Sequence, residues 1–275
     1  MTNHANQSGG WQVEQSASEA YEQYLVPPMF APWADRMLET SGVNEGDRVL
    51  DVACGTGIVA RRVASRVSES GSVVGLDINE GMLAVAAETA ADAHQPIEWR
   101  QGDATELPFS DERFDVVYCQ QALQFVDDPG ASVREMRRVL EPGGRAVLSV
   151  WRPLDYQPAY MVLADALAEY ISDEAGAVMR SPFPAWDGKK LRTLAQDAGF
   201  DDVTVTIEIG SVRYPSVEEF VRREVASSPV AESIAAVKRA VRDELVREVE
   251  AAVQAYLDDE GIVSPMESYV VIAER

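Results

Sequence analysis

The chain has 275 residues, 46% of them hydrophobic, with a formal net charge of −22. That is long enough to bury a sizeable core without disulfide or metal staples. The negative field argues against nucleic acid and anionic bilayers as partners, and no apolar run reaches the roughly eighteen residues of a membrane span.

Only three of the 24 basic residues are lysine, Lys189, Lys190 and Lys238. This acidic, lysine-poor composition resembles proteins from salt-loving organisms, where salt screens the repulsion, although an ordinary acidic protein fits it too. The opening residues, MTNHANQSGG, lack the basic and apolar regions of a secretory signal. Residues 1–10 therefore read as a disordered tail on a cytoplasmic protein. Cys54, Cys119, His4 and His94 are too scattered to suggest a metal site, and a disulfide is not expected in that compartment.

In chain order, residues 11–41 read as helix interrupted at Pro27-Pro28. Short apolar runs then alternate with helical patterns, the signature of a doubly wound α/β sheet. Strands are predicted over 47–53, 72–77, 97–101, 113–119 and 144–151, and helices over 57–68, 80–92 and 130–140. Pro142-Gly143-Gly144 reads as the turn before the fifth strand. After Trp151 the alternation stops. Helical patterns over 157–172 and 188–198 lead into an alternating strand, Val203 to Ile209. A long helical stretch follows from about Ser216 to Asp258, broken near Ser228-Pro229, and SYVVIAER closes the chain as a strand.

The chemistry is concentrated in VLDVACGTG, Val49 to Gly57, and in Asp77, twenty residues after Gly57. Gly55 and Gly57 let the backbone turn tightly against a ligand, and the following helix points its N-terminus at the same space. Asp77, at the tip of the next strand, can accept two hydrogen bonds from a cis-diol such as a ribose. Gly55-Thr-Gly57-Ile-Val-Ala60 also fits the dinucleotide fingerprint, with its acidic residue about twenty positions on. The glycines could equally serve only a tight strand-to-helix turn. Asp51 argues against a dinucleotide, because its carboxylate would repel a pyrophosphate. It suits a nucleoside cofactor that carries an ammonium group.

Further pieces follow: Gly102-Asp103-Ala104, Leu107-Pro108-Phe109, Phe114-Asp115-Val116-Val117 and Val139-Leu140-Glu141-Pro142-Gly143-Gly144. With these the chain resembles the class I S-adenosylmethionine-dependent methyltransferases, in particular the small-molecule (type 11) group of quinone, sterol and glycine methyltransferases. The resemblance covers about residues 45–151. It implies an α/β fold, a doubly wound Rossmann-like seven-stranded mostly parallel sheet with an antiparallel C-terminal strand and helical lid additions. The implied organisation is a single domain over 11–275. Helices 11–44 precede a cofactor-binding core, 45–151, and helical insertions 152–200 and 211–264 cover the substrate.

The resemblance also implies roles for residues toward S-adenosyl-L-methionine. Asp51 and the backbone at Ala53, Gly55 and Gly57 would hold the methionine part. Asp77 would take the ribose hydroxyls, Ile78 and Met82 would wall the adenine, and Asp103 and Ala104 would bond its edge. Cys119 and Gln120 would lie beside the sulfonium. The acceptor would be a small molecule, methylated on O, N or C by in-line transfer. Such transfer needs positioning more than acid–base help, so no catalytic acid or base is assigned, and His94 reads as a surface histidine. A non-catalytic, cofactor-binding regulatory or partner subunit is the alternative.

Acceptor contacts are expected from Tyr21, Tyr24, Phe30, Trp33, Trp151, Arg152, Tyr160, Trp186 and Tyr214, with Gln120, Gln121 and Gln124 of CQQALQF beside the transfer position. Aromatic faces can sandwich a planar substrate and attract a sulfonium.

Overall fold

The computed structural model describes residues 15–91 and 96–275, so the expected tail over 1–10 and His94 lie outside the described residues. Five strands run parallel: β1 (Arg48–Val52), β2 (Ser72–Asp77), β3 (Ile97–Gln101), β4 (Phe114–Gln120) and β5 (Leu140–Trp151). With β6 (Asp202–Tyr214) and β8 (Gly261–Glu274) the sheet order is β3-β2-β1-β4-β5-β8-β6, and β8 is antiparallel to both its neighbours. The sheet has eight strands, not seven. The extra one, β7 (Leu257–Asp258), folds back on the start of β8 through Asp259 and Glu260. Two residues are too short to show a strand period, and the sequence reading placed them at the end of a helix.

Alternation along the strands feeds opposite faces. Leu50, Val52, Val117 and Cys119 face one core with Val133 and Met136 of α5 (Pro129–Val139) and Leu191 and Ala195 of α8 (Gly188–Asp197). Val49, Val73, Val116 and Tyr118 face the other, against α2 (Ala31–Ser41) and α3 (Ile58–Val67). α1 (Gln15–Tyr24) is joined to α2 by a wide turn, Val26–Phe30, where Phe30 N–H reaches back to Leu25 O at 3.4 Å. This is how the chain accommodates the expected break at Pro27-Pro28. β5 begins four residues before the expected start, because Gly143 N–H donates to Arg275 O and Arg275 N–H to Gly144 O, at 3.0 and 2.9 Å.

Beyond Trp151 the departures are larger. α7 (Asp173–Arg180), capped by Ser172, follows α6 (Pro158–Tyr170) and was not expected. The 216–258 stretch is three helices, α9 (Val217–Ala226), α10 (Ala231–Ala236) and α11 (Arg239–Ala252), with a second break before α11 besides the one at Ser228-Pro229. β6 continues past Ile209 to Tyr214, and β8 starts well before Ser268. β5 pairs only with Ser268–Glu274 of β8, so the rest of β6 and β8 pair with each other as a two-stranded arm. Val212, Tyr214, Ile262 and Met266 of that arm nucleate a separate core with α6, α7, α9 and α11. The arm thus carries two strands of the sheet into the appended helices. Among the described residues, no helix is long and apolar enough to cross a membrane.

The order of parallel strands reverses at β1, between β2 and β4, which opens a crevice at their C-terminal ends. The crevice floor depends on two missing side chains. A Cβ on Gly57 or on Gly75 would lie 2.3 Å from the indole of Trp99, which fills the space both glycines leave. Gly75→Ala should therefore destabilise the protein by about 1–3 kcal/mol through overpacking. Urea denaturation would measure it, and the Trp99→Leu background should restore part of the loss.

Candidate functional site

A cavity of about 690 Å³ occupies the crevice, within the ~300–1,000 Å³ span of small-molecule sites. One end is built by the C-termini of β1, β2 and β3. Asp51 is buried at 1% exposure, and its one hydrogen bond among the described residues comes from Ala60 N–H at 3.0 Å. Burial pushes its carboxyl up to about 8, the Ala60 N–H opposing and the nearby Asp77 adding to the rise. Asp77 accepts Gly55 N–H at 2.7 Å on Oδ2 and Asn79 N–H at 2.8 Å on Oδ1. It too is raised by burial, with those backbone donors opposing. Asp77 also lines the cavity.

Ala53 and Gly55 line the wall in left-handed conformations, φ 53° and 54°. For Ala53 this costs about 1–2 kcal/mol. Tyr21 lies over the glycine turn, its Cε1 3.9 Å from where a Gly55 Cβ would sit. It is held there by the ion pair of its neighbour Glu22 with Arg61, 2.8 Å, while Arg61 also donates to Thr56 O at 3.0 Å. Ile78, 53% exposed, and Met82 on α4 (Glu80–Thr89) form an apolar wall. Asn79 caps α4 by accepting from Met82 N–H. Asp103 lines the cavity, but its Oδ1 accepts both the N–H and the hydroxyl of Thr105, so it is a turn former as well as a wall residue. Ala104 lies beside it.

The other end is roofed by the appended elements. Phe30 stands between Tyr21 and Trp151, with ring centroids 4.9 and 6.3 Å away. Trp33 backs Trp151 edge-on at 5.2 Å and is itself core. Gln120 lines the cavity and donates to Phe30 O at 2.9 Å, tying β4 to the α1–α2 turn. Gln121, at φ 52° and 4% exposure, donates from Nε2 to Ser268 Oγ at 2.9 Å, while its buried Oε1 has no partner. Tyr160 and Phe183, 5.3 Å apart, close this end.

Eight expected site residues are not on the wall, the core residue Trp33 among them. Gly57 starts α3 and makes room for Trp99. Cys119 is core beneath the cavity, its thiol pushed up to about 12 by burial and by Asp51. Period-2 alternation sends it to the opposite face from Gln120. Tyr24 stacks under Arg222, 4.8 Å from the ring centroid. Arg152 is paired with Glu267 and lies over Tyr156. Trp186 packs with Lys190 at 4.5 Å. The amide of Gln124 is buried without a partner, away from the cavity. Tyr214 contributes indirectly, through its hydroxyl.

Glu224 was missed. It is 3% exposed, lines the cavity, and accepts from Tyr160 Oη at 2.7 Å and Tyr214 Oη at 2.6 Å, both on Oε1. A sequence signal existed: on α9 the buried stripe is Val217, Phe220, Val221, Glu224 and Val225, and an acid at that helical spacing is out of place.

The parallel sheet, the reversal at β1 and a nucleoside-sized, acid-bearing crevice define a class I methyltransferase architecture. Residues 50–148 match the family model for a methyltransferase domain. Over 184 residues the chain is 37% identical to the ubiquinone/menaquinone biosynthesis C-methyltransferase UbiE of Pseudomonas putida (strain W619), covering 62% of this chain and 72% of that protein. It is 34% identical over 203 residues to demethylmenaquinone methyltransferase of Staphylococcus carnosus, covering 70% and 81%. Among solved structures, the YcgJ protein of Bacillus subtilis superposes with a TM-score of 0.59 at 18% identity, covering 88% of this chain and 97% of that one. Phosphoethanolamine N-methyltransferase 2 of Haemonchus contortus, in complex with S-adenosyl-L-methionine, gives 0.59 at 20%, covering 94% and 57%. At such identities these two speak to fold.

The chain belongs to the class I small-molecule methyltransferases. It is an S-adenosylmethionine-dependent enzyme, and the dinucleotide alternative is set aside. The cradle fits that cofactor: Gly55 lines the cavity with no side chain of its own, and Asp51 is a buried carboxyl bonded by no cation among the described residues.

Proposed function

We propose that the enzyme methylates a ring carbon of a small hydroxylated aromatic acceptor of the quinol type. The observation that carries this is the continuity of one cavity from the Asp51–Asp77 end to an end walled by Phe30, Trp151, Tyr160 and Phe183. Flat, mostly apolar walls suit a planar ring, and the names of the C-methyltransferase relatives support carbon as the target.

The cofactor supplies a methyl group activated by its positive sulfonium. Asp77 takes the ribose hydroxyls, Asp51 faces the ammonium, and Asp103 and Ala104 meet the adenine edge between Ile78 and Met82. Tyr21, Phe30 and Trp151 present aromatic faces that favour a cation and exclude water. Gln120 and Gln121 hold polar groups of the acceptor. Residues 152–200 and 211–264 cover the acceptor as parts of the single domain over 11–275. The reaction needs alignment above all, worth an effective molarity of about 10⁵–10⁸ M. Free Cys54 and Cys119 suit a cytoplasmic setting, and the −22 charge leaves nucleic acid outside the range of partners.

Hydrogen bonds to a charged acceptor contribute about 1.5–3 kcal/mol each. Asp77→Ala should thus weaken S-adenosylmethionine binding at least about tenfold by calorimetry. Unchanged affinity would overturn the ribose assignment. For Asp51 the sign is also fixed. Its carboxyl is mostly protonated below about 8 in the free protein, and a bound cation favours the ionised form. Binding should therefore release a proton near neutral pH, and affinity should climb with pH and level off above about 8. Calorimetry in two buffers of different ionisation enthalpy measures the proton, and Asp51→Asn should abolish it.

The acceptor class is tested with 1,4-dihydroxynaphthalene kept reduced, following S-adenosylhomocysteine release and a ring-methylated product. Turnover of amines or simple alcohols but not of hydroxylated rings would overturn this reading.

A further inference from the structure

We propose that Glu224 is the group that recognises the acceptor's hydroxyl and takes its proton, with Tyr160 and Tyr214 holding the carboxylate in place. This rests on the hydroxylated acceptor proposed above and goes beyond it by assigning an acid–base function, which positioning alone leaves vacant.

The geometry is specific. Glu224 is a nearly fully buried carboxylate on the cavity wall, at the end lined by the appended elements. Both phenols donate to the same oxygen, Oε1, at 2.7 and 2.6 Å. Oε2 has no hydrogen bond among the described residues. A buried carboxylate oxygen left unmatched costs free energy. Here one oxygen is saturated and the other is left for a donor inside the cavity. The clamp is itself braced. Phe220, one turn before Glu224 on α9, packs against Tyr160 edge-on at 5.5 Å and against Tyr214 at 5.3 Å. Three elements, α6, the β6 arm and α9, converge on this one oxygen.

The step balances. The acceptor's O–H bond breaks, its electron pair stays on the oxygen, and the proton bonds to Glu224 Oε2. The oxyanion raises the nucleophilicity of the ring. Carbon–carbon bond formation leaves a dienone, whose ring C–H bond breaks as the oxygen regains a proton, so the hydroxyl is restored and the net proton released is the one Glu224 passes to solvent before the next cycle.

Burial raises the Glu224 carboxyl to about 7, with the two phenols opposing, which suits a base that must accept and return a proton near neutrality. The phenols stay protonated, since burial and Glu224 raise both well above the usual tyrosine value. Most of the basic groups on the elements packed against α9 are engaged in ion pairs elsewhere. Glu22 of α1 pairs with Arg61, Arg213 of β6 with Asp258, and Glu267 of β8 with Arg152. On α9 itself Arg222 and Arg223 pair with Glu219. On α11 Arg239 faces Asp243 and Arg247 faces Glu244, while Glu232 of α10 lines a separate groove with Arg242.

The test uses the full chain and E224Q, whose amide oxygen can still accept from both tyrosines. With 1,4-dihydroxynaphthalene as acceptor, E224Q should lower kcat by at least about 100-fold. S-adenosylmethionine affinity should stay within about twofold, which also shows that the variant folds. Wild-type kcat should fall as pH drops through about 7, where the base becomes protonated, and E224Q should lose that limb. E224D should retain it.

A second arm needs no turnover. The affinity of 1-naphthol, read by tryptophan quenching, should rise about tenfold in the wild type between acid and mildly alkaline pH, because an ionised acceptor bonds a hydroxyl more strongly. In E224Q it should be flat. Wild-type kcat and pH profile in E224Q, the same naphthol pH dependence in both proteins, or no naphthol binding to the wild type would each overturn the proposal. If naphthol binds as expected but no hydroxylated ring is methylated, the acceptor reading fails and the hydroxyl recognition by Glu224 stands.

Discussion

Two carboxylates buried at the ends of neighbouring parallel strands set the terms for the rest of this structure. Asp51 and Asp77 come from adjacent strands, β1 and β2, and both are held by backbone N–H groups. No arginine or lysine bonds either one. Such a pair is tolerable only where the backbone can turn its amides inward. The αL conformations at Ala53 and Gly55 and the start of α3 supply those amides. The glycines that admit Trp99 then keep the turn tight against β2 and β3. Tyr21, tethered through Glu22 and Arg61, completes the enclosure.

Enclosure has a thermodynamic cost with a definite sign. A carboxyl whose folded pKa lies above its unfolded value binds its proton more tightly when folded. Its burial costs little below the unfolded value, and the cost grows as pH rises to the folded one. Asp51, at about 8, and Glu224, at about 7, therefore both weaken the free protein toward neutral and alkaline pH. A protein optimised only for stability would replace them. Both line one cavity, where a ligand could offset that cost.

Legibility in the sequence followed the range of the interactions. The parallel core was readable because buried strands and amphipathic helices repeat locally, and VLDVACGTG with Asp77 places a turn and an acid by spacing alone. Beyond Trp151 the interactions are long-range. β6 and β8 extend because they pair with each other across the intervening, mostly helical residues 215–260, and nothing near Ile209 announces it. Site residues divide the same way. Asp51, Ala53, Gly55, Asp77, Ile78, Met82, Asp103 and Ala104 lie on the wall where strand ends put them. Arg152 and Tyr24 do not, because Glu267 and Arg222, distant in sequence, engage them. Cys119 was misplaced by one step of strand alternation. Glu224 was legible as an acid on a buried stripe, but its partners Tyr160 and Tyr214 come from elements only the tertiary fold brings together.

The charge pattern of the cavity also bears on turnover. Its buried carboxyl groups are Asp51, Asp77 and Glu224, and among the described residues no arginine or lysine lines it. In a poorly hydrated enclosure, interactions with a cation are stronger than at the surface, so the cavity distinguishes ligands that differ by a single charge. The methyl donor carries its positive charge on sulfur, and the product after transfer is an uncharged thioether in the same framework. Walls of this kind favour a cation over a neutral ligand of the same framework, through Coulomb attraction to the acids and cation–π attraction to aromatic faces such as Tyr21, Phe30 and Trp151. The same buried acids that cost the free protein stability thus make the cavity a poor host for an anionic ligand and a better one for a neutral or cationic ligand.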